Sequence, residues 1–219
     1  MTGSATAEAL RDRGEGSVNV FRAPLFERIL QEEESDQRQL VLDLGGPCQS
    51  LIDRLSAPRP TRIEIADLVA GGDLDELRHL GPSEDAGLPD LNRFLPQSSG
   101  EPLDLILCWD LPNYLNLGTF AELCRLLGNR AAPGCRLHML IAYSKREMPA
   151  QPARYSLKDD GQLIQKLDDA ETVAAPRYSP EALGEAVGGF DYERGILLAN
   201  GNQEFLYSWP DEARSKFDS

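Results

Sequence analysis

The chain has 219 residues, 41% of them hydrophobic, with a mean hydropathy of -0.37, which is typical of a one-domain globular protein. Acidic residues outnumber basic residues by 36 to 22, which gives a formal net charge of -14. Nucleic-acid binding depends on clusters of Lys and Arg that neutralise phosphates. The composition therefore argues against a nucleic-acid partner and favours a small molecule or a protein partner.

The sequence shows neither a membrane-spanning pattern nor a metal-binding pattern. No run of 18 apolar residues occurs, and the first residues have no signal-peptide core, so we expect a cytoplasmic protein with no membrane partner. The cysteines have irregular spacing and neither histidine has ligand spacing to them, so we expect structural thiols and no metal site. These residues are Cys48, Cys108, Cys124, Cys135, His79 and His138.

The N-terminal part of the chain changes from polar to amphipathic. An amphipathic helix is predicted over Val20–Glu34, because Phe21, Leu25, Ile29 and Leu30 share one face at helical spacing. The predicted divisions of the chain are a disordered stretch over 1–18, an N-terminal helix within 19–37, a main domain over 38–210 and a C-terminal tail over 211–219.

Two strands are predicted early in the main domain, Gln39–Leu44 and Arg62–Asp67. The turn Gly45-Gly46-Pro47 ends the first, and a short helix over Asp73–Leu80 follows the second. Residues 81–100 are rich in Gly, Pro and Ser, and no convincing third strand can be placed there.

A further strand is predicted over Leu103–Trp109, and another over Arg136–Tyr143. Between them, Thr119 and Glu122 have the spacing of a capping box that opens an amphipathic helix. This alternation of strands and helices predicts a parallel sheet with helices on both faces.

The C-terminal third begins with a long polar connection over 144–177, in which one helix is predicted near Gly161–Asp168. A helix is predicted to start at Ser179-Pro180, with Ser at the N-cap and Pro in the first turn. The last two strands flank Asn200-Gly201, a dipeptide typical of tight hairpins. These strands are Asp191–Ala199 and Gln203–Trp209.

Several of these segments together resemble the class I S-adenosylmethionine (SAM)-dependent methyltransferases. The resemblance covers roughly residues 38–209 and includes the closing hairpin. It implies an α/β, Rossmann-like fold whose mostly parallel sheet is closed by a C-terminal antiparallel hairpin. It also implies SAM as the cofactor, with methyl transfer to a small-molecule or protein acceptor. The matching segments are VLDLGG at Val41–Gly46, Asp67, LDLILCWDLPNYL at Leu103–Leu115 and PGCRLHMLIAYS at Pro133–Ser144.

The resemblance also implies where the cofactor lies, since ligands of open α/β sheets bind beyond the carboxyl ends of the strands where strand order reverses. It places a glycine turn on one side of SAM, the end of the fourth strand on the other, and Asp67 at the ribose hydroxyls. The alternatives are a solvated acid for Asp67, a plain tight turn for the glycines and a core aromatic for Trp109. The implied cofactor-binding residues are Asp43, Gly45, Gly46, Asp67, Trp109 and Asp110.

The first motif departs from the family's G-x-G-x-G pattern. The three positions at which the family has glycine are occupied here by Gly45, Pro47 and Gln49. Proline lacks an amide donor and adds a ring where the backbone approaches the cofactor. This departure keeps open a second hypothesis, a catalytically inactive methyltransferase-like scaffold or SAM-binding module. A nicotinamide-binding domain is a third alternative, but its G-x-G-x-x-G motif is missing and the closing hairpin argues against it.

Asp110, Asn113 and Tyr114 are the candidate catalytic residues, because they follow the fourth strand, where a general base would lie. The segment DLPNY is similar to the (Asp/Asn)-Pro-Pro-(Tyr/Phe) motif of amino methyltransferases, but Leu111 and Asn113 break that pattern, so amine methylation is not implied. Alternatively, Asp110 caps the next turn and Tyr114 packs in the core. Two interpretations are open for the basic and aromatic residues of the connection: they bind an anionic substrate, or, as is more common, they lie in a solvated loop. These residues are Arg146, Arg154, Tyr155, Arg177 and Tyr178.

Overall fold

The protein is built on one six-stranded sheet, to which two smaller sheets are added. The computed structural model describes residues 17–31, 36–68, 73–80, 90–167 and 171–211. Two 3₁₀ turns lie at Leu91–Phe94 and Leu111–Tyr114. In chain order the strands and helices are β1 (Val18–Phe21), α1 (Pro24–Leu30), β2 (Gln39–Asp43), α2 (Gln49–Ser56), β3 (Thr61–Ile65), α3 (Asp73–His79), β4 (Leu103–Trp109), α4 (Leu117–Gly128), β5 (Ala131–Ala142), β6 (Glu147–Pro149), β7 (Arg154–Leu157), β8 (Leu163–Lys166), β9 (Thr172–Ala174), α5 (Pro180–Val187), β10 (Asp191–Leu197) and β11 (Asn202–Ser208).

The strand order of the large sheet is β10-β11-β5-β4-β2-β3. Strands β3, β2, β4 and β5 pair in parallel, and β11 pairs antiparallel with both β5 and β10. The expectation of a Rossmann-like α/β fold closed by a C-terminal hairpin is therefore confirmed. Because the chain extends from β2 first to β3 and then, on the other side, to β4, strand order reverses between β2 and β4.

The central strands of the sheet are buried on both faces, which stabilises it. All five residues of β2 are buried, and successive side chains point to opposite faces. Leu42, Ile106 and Leu137 pack in the core on one face. Val41 and Leu107 pack on the other face, in the core that contains α1 and α2. Fully parallel strands need such coverage on both sides.

No third strand is predicted over residues 81–100, and the described part of this region contains none. Residues 90–100 contain the 3₁₀ turn Leu91–Phe94, and within the described part of the chain the parallel portion of the sheet has four strands. Residues 81–89 lie outside the described residues.

Of the two predicted helix N-caps, one is correct and one is wrong. Helix α5 is capped by Ser179, whose hydroxyl accepts a hydrogen bond from the Ala182 amide at 3.1 Å, as predicted. Helix α4 instead begins one turn before the predicted capping box, because Asn116 is its N-cap and accepts from the Thr119 amide at 2.9 Å. Glu122 therefore pairs with a side chain one turn later in the helix.

The helix predicted over Val20–Glu34 is shorter than expected and is preceded by a strand. Val18–Phe21 forms β1, and the helix starts at Pro24, a residue suited to the first turn because it lacks an amide hydrogen. Residues 32–35 lie outside the described residues.

The helix predicted near Gly161–Asp168 is wrong. Leu163–Lys166 is strand β8, which pairs antiparallel with both β7 and β1. Gly161 has a φ of 84°, which glycine adopts readily, and it lies in the turn through which β7 and β8 form a hairpin. Pairing with the distant β1 outweighs the weak helical pattern.

A buried carboxylate fixes the N-terminal helix to the sheet. Glu204 of β11 accepts hydrogen bonds from the amides of Leu25 and Phe26 at 3.0 and 2.8 Å, so it satisfies two amides of the first turn of α1. His138 of β5 lies 2.9 Å from the same carboxylate through Nε2. The ring of Phe26 then packs edge-on against Trp109, with centroids 5.3 Å apart. None of the helices within the described residues is long and apolar enough to cross a membrane.

Candidate functional site

The carboxyl ends of β2, β3 and β4 bring the predicted cofactor-binding residues together. Asp43 ends β2, Trp109 ends β4, and Asp67 follows β3 by two residues. The Ala66 amide donates to the Asp43 carbonyl at 2.8 Å, which holds Asp67 beside the end of β2. A β-carbon on Gly46 would lie 3.3 Å from Asp67 Oδ2, so the glycine turn lies directly against this carboxylate.

Asp43, Gly45 and Trp109 form one tightly bonded unit. Asp43 Oδ1 accepts hydrogen bonds from Trp109 Nε1 at 2.7 Å and from the Gly45 amide at 2.9 Å. A β-carbon on Gly45 would lie 2.8 Å from Trp109 Cδ1, so this position needs glycine for the indole to pack. Burial raises the pKa of Asp43 to about 6, against the effect of these two hydrogen bonds.

Trp109 has an unusual backbone conformation. Its φ is 51°, in the left-handed region that costs energy for a bulky side chain. The indole is nevertheless held on two sides, by the Asp43 carboxylate and by the ring of Tyr155. The Trp109 and Tyr155 rings are stacked, with centroids 4.8 Å apart and an interplanar angle of 9°.

Tyr155 and Asp110 connect strand β7 to the end of β4. The Tyr155 hydroxyl lies close enough to the Asp110 carboxylate to influence its pKa, and Gln165 Nε2 donates to this hydroxyl at 3.1 Å. Asp110 Oδ2 accepts from the Ala153 amide at 3.1 Å. Burial raises the pKa of Asp110 to about 6 and raises the pKa of Tyr155 well above its usual range. The Asp110 side chain thus bonds to the connection rather than capping the next turn.

Arg154 lies over the glycine turn. Its Nη1 is 3.4 Å from Asp67 Oδ2, and a β-carbon on Gly46 would overlap the guanidinium. The position that the resemblance gives to the cofactor ribose is therefore next to a cation of the protein itself. Arg154 and Tyr155 were predicted as candidate anion-binding residues of the connection, and the structure brings both to the predicted cofactor site.

Asn113 and Tyr114, two of the predicted catalytic residues, use their polar atoms in bonds to the backbone. Asn113 Nδ2 donates to the carbonyls of Asp110 and Leu140 at 2.8 and 2.9 Å, and its Oδ1 accepts from the Ala142 amide at 2.8 Å. This amide side chain therefore joins the 3₁₀ turn to β5.

The Tyr114 hydroxyl lies 3.0 Å from the Pro149 carbonyl and 2.9 Å from the Gln151 carbonyl, and it can donate to one of them at a time. The Arg78 guanidinium lies over the Tyr114 ring, 5.2 Å from its centroid. Burial raises the pKa of Tyr114, so the phenol is neutral at ordinary pH. Of the remaining residues in the connection, Tyr178 donates its hydroxyl to the Leu115 carbonyl.

Comparison with known proteins gives structural similarity without sequence similarity. No protein-family model matches the chain, and no curated protein matches it. The N-methyltransferase NodS from Bradyrhizobium japonicum WM9 is 12% identical, over 86% of this chain and 94% of that chain, with a TM-score of 0.49. A SAM-dependent methyltransferase from Clostridium acetobutylicum ATCC 824 is 14% identical, over 78% and 84% of the two chains, with a TM-score of 0.48. CalS10, an amino pentose methyltransferase from Micromonospora echinaspora, is 13% identical, over 85% and 89%, with a TM-score of 0.48. These similarities are too low to assign an activity.

Proposed function

We propose that this protein is a SAM-dependent methyltransferase that binds its cofactor at the carboxyl ends of β2, β3 and β4. The observation that carries the proposal is the position of the glycine turn and Asp67, which meet beside the point where strand order reverses. Asp67 offers a carboxylate to the two ribose hydroxyls. The backbone of Gly46, beneath the Arg154 guanidinium, offers a surface without a side chain against which the cofactor can lie, and Gly45 leaves room for the Trp109 indole beside it.

The residues around this site fit a reaction that depends on positioning. SAM itself supplies the activated methyl group, so the protein needs chiefly to orient an acceptor and exclude water. The stacked rings of Trp109 and Tyr155 form a buried wall beside the glycine turn. Asp110, whose pKa of about 6 lies close to neutral, is the candidate general base for an acceptor that must lose a proton. We assign Asn113 and Tyr114 to positioning of the surrounding backbone.

A second candidate function is a SAM-binding or scaffold domain without catalysis. It is favoured by Arg154, which lies over Gly46, and by Pro47 and Gln49 at positions where the family pattern has glycine. Both functions retain the fold; they differ in whether the methyl group is transferred.

Calorimetric titration with S-adenosylhomocysteine (SAH), the product of methyl transfer, tests the cofactor site. We expect the wild-type protein to bind SAH and Asp67→Ala to bind at least about tenfold more weakly, because a hydrogen bond to a charged group contributes about 1.5–3 kcal/mol. Glu101→Ala is the matched control, since Glu101 is also an acid paired with arginine but precedes β4 at the opposite end of the sheet. Equal binding by wild type and Asp67→Ala, or absence of binding at millimolar SAH, contradicts the proposed site.

Turnover separates the two candidate functions. The protein is incubated with methyl-labelled SAM and, in separate reactions, with a small-molecule extract and a protein extract. Labelled product that is lost in Asp67→Ala supports the methyltransferase. SAH binding without labelled product from either extract favours the non-catalytic module.

A further inference from the structure

The backbone on both sides of Arg154 is fixed to the sheet. On one side, the Ala153 amide donates to Asp110 Oδ2 at 3.1 Å. On the other side, the buried Tyr155 ring stacks on Trp109 and its hydroxyl accepts from Gln165 Nε2 at 3.1 Å. Two residues further on, the Leu157 amide donates to Ser50 Oγ of α2 at 3.0 Å. The direction in which the Arg154 side chain leaves the backbone is therefore set by this packing.

The side chain of Arg154 itself is less constrained than its backbone. Its side chain is 37% exposed, and that of its partner Asp67 is 25% exposed. An ion pair with this exposure is weak, since the side chains remain partly hydrated. Turning the guanidinium toward solvent breaks this weak pair and leaves the contacts of Ala153 and Tyr155 in place.

We propose that Arg154 gates the cofactor site by competing with the ligand for Asp67. This inference rests on the proposed function, because it takes Asp67 as the ribose-binding group. The guanidinium covers Gly46 and pairs with Asp67. For the ribose hydroxyls to bond to Asp67, they must replace the guanidinium, and the Arg154 side chain must turn outward. Arg154 is thus a gating residue that lowers ligand affinity, and it takes no part in the chemistry.

The negative charge of Asp67 explains why a cation is favourable beside it. Asp43 and Asp67 lie close enough that the charge on Asp67 contributes to the raised pKa of Asp43. A cation beside Asp67 offsets the repulsion between these two carboxylates.

SAH titration of three variants tests the gate. Arg154→Met removes the guanidinium and retains a long apolar side chain, and we expect it to bind SAH about fivefold more tightly than wild type, the limit for a partly exposed ion pair. Arg154→Lys keeps the cation and should bind like wild type. Arg38→Met is the matched control, since Arg38 pairs with Glu101 at 3.3 Å just before β2, at the other end of the sheet.

The salt dependence of SAH binding is a second test. It compares each protein with itself, so a difference in folding between wild type and variant does not affect it. Raising NaCl from about 0.05 M to about 0.5 M screens the exposed Arg154–Asp67 pair. We expect SAH to bind wild type more tightly at high salt, and Arg154→Met to show no such gain.

The outcomes distinguish a failure of the gating proposal from a failure of the proposed cofactor site. Tighter binding by Arg154→Met alone supports the gate. Binding by wild type that is unchanged or weakened in Arg154→Met overturns the gate and leaves the cofactor site in place. Absence of SAH binding by wild type and all variants, with intact folding by circular dichroism, overturns the proposed function and the gate together.

Discussion

Asp43→Asn should change how the stability of the protein depends on pH. Asp43 is buried, and its pKa is raised from 3.8 to about 6. Between these two values the folded protein binds more protons than the unfolded chain, so the Asp43 contribution to stability falls as pH rises through this window. The contribution is fully present below about pH 3.8 and is lost above about pH 6.

The expected size follows from the pKa difference of about two units. Each unit corresponds to about 1.4 kcal/mol, so ionised Asp43 costs the folded state about 3 kcal/mol at pH 8. Asparagine removes this cost while keeping the same hydrogen bonds, because Asp43 Oδ1 accepts from both Trp109 Nε1 and the Gly45 amide. We therefore expect Asp43→Asn to be more stable than wild type at pH 8 and to lose this advantage toward pH 4.

Urea unfolding, followed by circular dichroism at several pH values between 4 and 8, measures this difference. Asp53→Asn is the control, because it makes the same chemical change on the exposed side of α2. A profile of Asp43→Asn that is parallel to wild type, with no gain at high pH, would refute the electrostatic account of this loop.

Two further substitutions test how the site is held in place. Glu204→Ala leaves the first-turn amides of α1 and the buried His138 without their carboxylate partner, so we expect the free energy of unfolding in urea to fall by about 3–5 kcal/mol; Glu204→Gln, which keeps an acceptor, should lose less, and equal losses would contradict the capping role. Tyr114→Phe removes a hydroxyl that bonds to the carbonyls of Pro149 and Gln151, so we expect a loss of about 1 kcal/mol and faster hydrogen exchange at the Ala150 amide. Unchanged exchange at that amide would mean that the hydroxyl does not hold this segment.

The strands of the large sheet could be predicted because their signals are local. The apolar runs of β2 and β4 and the Asn200-Gly201 turn are contained in a few consecutive residues, and the structure has a strand or hairpin at each. The family resemblance then implied that the sheet is mostly parallel and closed by an antiparallel hairpin, as the structure has it. The cofactor roles of Asp43, Gly45, Gly46 and Asp67 remain predictions that the binding experiments test.

The rest of the site could not be predicted because it depends on contacts between distant segments. Arg154 meets Asp67 across 87 residues of sequence, and Trp109 bonds to Asp43 across 66. Strand β8 pairs with the distant β1 as well as with its neighbour β7, and the local pattern at Leu163–Lys166 does not contain this pairing with β1. At α4, Asn116 and Thr119 are both residue types that cap helices, and the backbone path after the 3₁₀ turn selects Asn116.

A crystal structure of the protein with SAH tests the central claim most directly. The account predicts that the ribose hydroxyls lie within hydrogen-bonding distance of the Asp67 carboxylate, beside Gly46, with the Arg154 guanidinium turned toward solvent. SAH bound elsewhere, or Arg154 still lying over Gly46 with the ligand present, would contradict it.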